Sequence, residues 1–247
     1  MRYQFVDCAF ELTDPARGRE LHLAGHVPGA SFLDLDRELS DLSVADAGRH
    51  PLPSAEAFAA AAGRAGIGEG VFVVAYGQGS GGAAERLWWL LRHFGHDDGT
   101  VLAGGIEDWR GPLRTGEEAD EPARFLPRPR QDDTIGAEAL VARLGEPGLA
   151  IVDARAPERY RGEVEPLDPV AGHVPGAVNW PFAESGSVPP GLLEADEIVV
   201  YCGSGVSACV DLLALARAGR PDAKLYPGSW SDWSRRGLPV ETGVRGA

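Results

Sequence analysis

The segment EIVVYCGSGVSACVDLLALA, residues 197–216, sets a cysteine, Cys202, between an apolar run and a stretch with helical spacing. Gly203, Ser204, Gly205, Val206 and Ser207 bridge the two. A thiol at the carboxyl end of a strand and just before a helix meets free backbone N–H groups and the positive helix end, and both favour an anion. Two glycines let the backbone curl and turn its N–H groups inward. This suits a nucleophilic thiolate, with 203–207 as a cradle for a thiolate, a persulfide or a substrate oxyanion. The plain alternative is a buried, inert cysteine. Residues 203–210 contain no Arg or Lys. A bidentate phosphate clamp is therefore missing, which argues against phosphatase chemistry.

The elements that position this loop occur twice. GHVPGA stands at 25–30 and again at 172–177. FVD (5–7) precedes the first and IVD (151–153) the second, with 19 residues from Asp7 to His26 and 20 from Asp153 to His173. VFVVAYG (71–77) parallels EIVVYCG (197–203), and AGGIEDW (103–109) parallels PGSWSDW (227–233). The chain is a divergent tandem repeat. In each copy β-branched runs alternate with helical patterns, so the expected class is α/β, each domain a mostly parallel sheet flanked by helices. Ligands in such folds sit at the carboxyl ends of the strands. The expected domains are 1–115, a linker at 116–131 rich in Pro and charge, and 132–247. Only the second copy holds a cysteine after its central strand; the first reads AYGQGSGGAAE there. His26 to Tyr76 spans 50 residues and His173 to Tyr201 spans 28, so the first copy carries 22 more.

The net charge of −14 argues against nucleic acid and anionic membranes as partners. It leaves room for a small anionic substrate bound in a local pocket. Three cysteines, with no metal-ligand spacing and no secretory signature, point to a reducing, cytoplasmic setting. No metal or organic cofactor is expected.

In the repeated GHVPGA, DARAPERYRG (153–162), NWPF (179–182), YCGSGVSA (201–208) and GSWSDW (228–233), the chain resembles the two-domain rhodanese and 3-mercaptopyruvate sulfurtransferase family. The resemblance runs from about residue 5 to 242. It implies tandem rhodanese-like domains and a Cys202 persulfide that passes sulfur to a thiol such as thioredoxin, or to cyanide in vitro. The neutral Gly203-Ser204-Gly205 is similar to the mercaptopyruvate branch, whereas thiosulfate enzymes typically place two basic residues there. That branch pairs the loop serine with a His and an Asp of the first domain. The matching positions are Ser204, His50 and Asp36, the last two inside the extra segment of the first copy. The resemblance implies a proton relay in which the Asp fixes the imidazole tautomer. For the donor carboxylate it implies two arginines. Arg159 matches the first. At the second, Glu165-Pro166 is followed by Leu167, and Arg161 is the nearest substitute. Two other readings stay open: a thiosulfate sulfurtransferase, and a non-catalytic rhodanese-like module that binds a partner or senses sulfide.

The remaining conspicuous residues read as scaffold. His26 and His173 recur where one copy has no thiol to serve, so GHVPGA is a structural turn. Asp153 and Arg155 orient backbone, Cys209 lies on the apolar side of its helix, and Trp88 and Trp89 are core. Trp230 and Trp233 either pack or line a cleft.

Overall fold

The computed structural model describes residues 2–78, 81–118 and 121–243. Gly79 and Ser80 of the first copy's glycine loop, 119 and 120 of the expected linker, and 244–247 lie outside the described residues. The chain divides into two compact units, 1–41 with 52–130 and 42–51 with 131–247. The short segment 42–51, which precedes the end of the first copy in sequence, belongs to the second unit.

The first unit runs β1 (Arg2–Asp7), α1 (Arg17–Ala24), β2 (Ser31–Phe32), α2 (Ala55–Arg64), β3 (Val71–Tyr76), α3 (Ala83–His93) and β4 (Gly99–Val101). Its sheet is parallel in the order β2-β1-β3-β4. The second unit runs α4 (Ala137–Ala142), β5 (Leu149–Asp153), α5 (Pro157–Tyr160), β6 (Val178–Asn179), α6 (Pro190–Leu193), β7 (Glu197–Tyr201), α7 (Ala208–Arg217), β8 (Lys224–Leu225) and α8 (Ser229–Arg235). Its sheet is parallel in the order β6-β5-β7-β8. The repeat holds to the residue: Asp7 pairs with Tyr76 in one sheet and Asp153 with Tyr201 in the other.

β3 and β7 are central strands, with Val73–Tyr76 and Ile198–Tyr201 buried. Continuous apolar runs are what a parallel strand covered on both faces needs. α3 buries Leu87, Trp88, Trp89, Leu90 and Leu91, and α7 buries Leu212, Leu213 and Leu215. The core of the second unit gathers Tyr160, Tyr201, Tyr226, Trp230 and Trp233.

GHVPGA does the same job twice. His26 Nδ1 meets the His22 carbonyl at 2.8 Å, and His173 Nδ1 meets that of Tyr160 at 2.7 Å. Val27 N–H donates to the Tyr76 hydroxyl at 3.1 Å and Val174 N–H to that of Tyr201 at 3.0 Å. Among its described residues the Pro- and charge-rich stretch after the first copy forms no helix or strand, yet it lies along the first unit. Ala123 N–H donates to the Gly63 carbonyl at 2.9 Å, and the Phe125 ring meets Phe58 edge-on at 5.5 Å.

Candidate active site

Cys202 follows β7 directly and leads through 203–207 into α7. The Gly205 N–H points at its Sγ, 3.2 Å away. The turn needs glycine at 205, where φ is +76° and a β-carbon would stand 2.5 Å from the Pro227 carbonyl oxygen. The Cys202 peptide is fixed from the α8 side. Its N–H donates to Ser229 Oγ at 3.1 Å, and its carbonyl accepts from Trp230 N–H at 3.0 Å. The Ser231 N–H donates to the Gly203 carbonyl at 3.0 Å. Val206 is buried, and Ser207 is the residue before α7.

Ser229 has φ +53°, which is unusual for a residue with a side chain. The equivalent residue of the first copy is Gly105, at φ +60°. The second copy holds a serine in the strained conformation because its hydroxyl bridges the Cys202 N–H and the Tyr226 carbonyl. Ser229→Gly removes the strain and the bridge together; Ser229→Ala removes the bridge alone. Ser229→Ala is therefore expected to be the less stable variant by about 1 kcal/mol. Melting curves of the two variants check this, and an alanine variant as stable as the glycine one would contradict it.

Segment 42–51 brings two side chains to the loop. His50 Nδ1 lies 2.8 Å from Ser204 Oγ, both groups being buried. The Arg49 N–H donates to Ser231 Oγ at 3.0 Å. Arg49 also ends an alternating chain of charges. Arg155 binds Asp153 at 2.6 Å and Glu165 at 3.1 Å. Glu165 binds Arg159 at 2.7 Å, and Asp168 lies 3.4 Å from Arg159 and pairs with Arg49. Three carboxylates thus alternate with three guanidinium groups, from the end of β5 to the cysteine loop. The forks satisfy carboxylates two at a time, which suits arginine over lysine. The inner arginine also stacks, its guanidinium carbon 4.5 Å from the Trp230 ring centroid. Trp230 and Trp233 are fully buried and belong to the core.

Of the residues singled out from sequence, Cys202, Gly203, Ser204, Gly205, Val206, Ser207, His50 and Arg159 all fall in the second unit around this loop. Asp36 lies in the first unit, half-buried, and burial pushes its carboxyl up. Arg161 is held by Glu163 at 2.7 and 2.8 Å on the surface, and Leu167 is exposed. Cys209 is buried, its thiol 3.5 Å from the Gly205 carbonyl. Arg49, Asp168 and Ser229 went unnoticed in the sequence. The adjacency of Arg49 to His50 was the available signal for the first, and the Gly105–Ser229 difference between the copies for the last.

Asp211, on α7, is fully buried, and neither carboxylate oxygen has a hydrogen-bond partner among the described residues. Burial pushes its carboxyl up to about 9, with Cys202 and then Asp153 adding to the effect. The folded pKa is raised above the unfolded one. Between the two values the folded chain holds a proton that the unfolded chain releases, so this group makes stability fall as pH rises from about 4 to about 9. Asp211→Asn is expected to lose that slope. Its stability advantage over the native chain should grow by more than about 1 kcal/mol between pH 5 and pH 8. Urea unfolding at the two pH values measures the gap; a gap that stays constant shows no titration there.

The model of the rhodanese-like domain matches residues 3–112 and 136–236. A Pseudomonas aeruginosa chain named a probable 3-mercaptopyruvate sulfurtransferase is 44% identical over 96% of this chain and 92% of its own length. A Mycobacterium tuberculosis chain named a putative thiosulfate sulfurtransferase is 39% identical over 93% and 87%. The solved 3-mercaptopyruvate sulfurtransferase SseA of Escherichia coli superposes with a TM-score of 0.78 at 33% identity, covering 93% of both chains. The chain belongs to the rhodanese-like family, as a tandem of two such domains, and is a sulfurtransferase. No helix among the described residues is long and apolar enough to cross a membrane.

Proposed function

We propose that the chain moves sulfane sulfur from 3-mercaptopyruvate to a thiol acceptor through a persulfide on Cys202. One observation carries this reading: the cysteine stands at the end of the central strand with the Gly205 N–H on its sulfur, and Ser204 beside it is bonded to His50. Arg159 stands next to the same loop, its Nη1 3.4 Å from where a β-carbon of Gly203 would lie.

In the first half-reaction Arg159 holds the donor carboxylate and the Cys202 thiolate attacks the donor sulfur. The new bond is S–S. The carbon–sulfur bond breaks with its electron pair going to carbon, which gives the enolate of pyruvate. Backbone N–H groups of 203–207 stabilise the developing charge, and the Ser204–His50 pair delivers the proton that completes pyruvate. In the second half-reaction the acceptor thiolate attacks the outer sulfur and Cys202 leaves as a thiolate. A protein thiol such as thioredoxin suits this step. Three buried cysteines with no disulfide fit a reducing, cytoplasmic setting.

The second reading, thiosulfate as donor, is favoured by the 39%-identical relative with that name. The test offers the purified chain 3-mercaptopyruvate and thiosulfate separately and weighs it by mass spectrometry. A gain of one sulfur on Cys202 from mercaptopyruvate, with less from thiosulfate, is the expected result. The opposite preference would move the donor to thiosulfate. No gain from either would leave a binding or sensing module.

A further inference from the structure

The sequence has Leu167 where the family resemblance implies a second arginine for the donor carboxylate, and the structure turns Arg161 away to Glu163. A second guanidinium nevertheless stands at the cysteine loop. A β-carbon on Gly203 would lie 2.7 Å from Arg49 Nη2, closer than from either terminal nitrogen of Arg159. Any larger residue at 203 would displace this group. We propose that Arg49, from a different stretch of chain, is the second arginine of the donor clamp and binds the carboxylate of a 2-oxo acid donor together with Arg159.

The surroundings support this. Asp168 is buried and touches both guanidinium groups, pairing with Arg49 Nη1 and lying 3.4 Å from Arg159 Nη2. It holds two like charges side by side and turns Arg49 Nη2 and Arg159 Nη1 toward Gly203. Arg49 Nε is buried without a hydrogen-bond partner among the described residues. The guanidinium therefore still has donor capacity, and a buried unpaired donor is costly unless a ligand meets it. Both side chains keep partial exposure, 22% for Arg49 and 17% for Arg159, whereas the inner Arg155 is at 1%. A small anion can thus reach the outer pair and not the inner arginine. The backbone of Arg49 is tied through Ser231 to the Gly203 carbonyl, which fixes the clamp relative to the thiol.

This inference rests on the proposed donor, and the experiment separates the two. It compares 3-mercaptopyruvate with mercaptoacetone, which keeps the thiol and ketone and lacks the carboxylate. Arg49→Gln is expected to lower the ratio of kcat/KM for the two donors by about 10- to 100-fold, mainly through KM. Arg49→Lys, which keeps the charge and loses the fork, should fall between, and Arg161→Ala should leave the ratio within twofold. A ratio within twofold of the native one in Arg49→Gln overturns the proposal, because both donors then suffer alike or not at all. A second measurement titrates pyruvate into Cys202→Ser protein by calorimetry, with and without Arg49→Gln. Weakening by about tenfold supports the clamp even if the native chain takes no sulfur from mercaptopyruvate. Unchanged pyruvate binding, or none to begin with, overturns it.

Discussion

Cys202→Ser is expected to fold normally and to carry no sulfur, with turnover reduced by at least about 10⁴-fold. The loop is held chiefly by the peptide of residue 202, and the Gly205 N–H that meets its Sγ at 3.2 Å can donate to a serine oxygen instead. The N–H of residue 202 binds Ser229 Oγ at 3.1 Å and its carbonyl receives the Trp230 N–H at 3.0 Å. Serine keeps both bonds and nearly the same volume, so the fold has no reason to change. The chemistry has every reason to. A thiolate attacks sulfur readily and leaves readily, whereas a serine hydroxyl is protonated at neutral pH and forms no sulfur carrier of comparable stability. The other thiols are poor substitutes. Cys209 lies within α7 with its thiol turned to the Gly205 carbonyl at 3.5 Å, and burial pushes the Cys8 thiol up, with Asp7 and Glu85 adding to the shift. Peptide mapping after exposure to donor reads the outcome. A persulfide on Cys8 or Cys209 in the serine variant would show that the assignment to Cys202 is wrong.

Arg155→Ala should cost about 3–5 kcal/mol and lower the melting temperature of the second unit by ten degrees or more. Arg155 is 1% exposed and stands between Asp153 and Glu165, at 0% and 3%. It also donates to the Gly172 carbonyl at 2.6 Å and covers the Trp230 ring. Removing it leaves Asp153 buried with no guanidinium partner and Glu165 with Arg159 alone, and that desolvation cost outweighs anything recovered by repacking around alanine. The defect would also reach the reaction, since Glu165 positions Arg159 at 2.7 Å and contacts the backbone of Leu167 at 3.1 Å and Asp168 at 3.2 Å. Differential scanning calorimetry gives the shift. A loss of less than three degrees would mean that the charges are solvated and the chain of pairs has little weight.

The repeat shows how the same scaffold serves both copies. In the second, Asp153 is neutralised by Arg155. In the first, the equivalent of Arg155 is Ala9, and Asp7 is met instead by His22 Nδ1 at 3.0 Å. Both carboxylates still support the tyrosine hydroxyl that receives the GHVPGA backbone N–H.

The sequence by itself determined the tandem repeat, the parallel α/β class, the strand–loop–helix that carries Cys202 and the scaffold role of GHVPGA. These follow from local patterns: continuous apolar runs for covered strands, helical spacing ending at Gly95 and Gly219, and a glycine loop between strand and helix. Only the tertiary structure decided that segment 42–51 belongs to the second unit, that Arg49 stands against Gly203, and that Asp168 pairs two arginines. It alone decided that Ser229, left-handed in its backbone, holds the Cys202 peptide. The physical reason is range. Strand and helix preferences act over a few residues and leave a period in the sequence, whereas Arg49 and Asp168 are 119 positions apart and Arg49 and Ser231 are 182 apart. Such pairs leave no period, and the compact fold alone selects which charges face each other around the thiol.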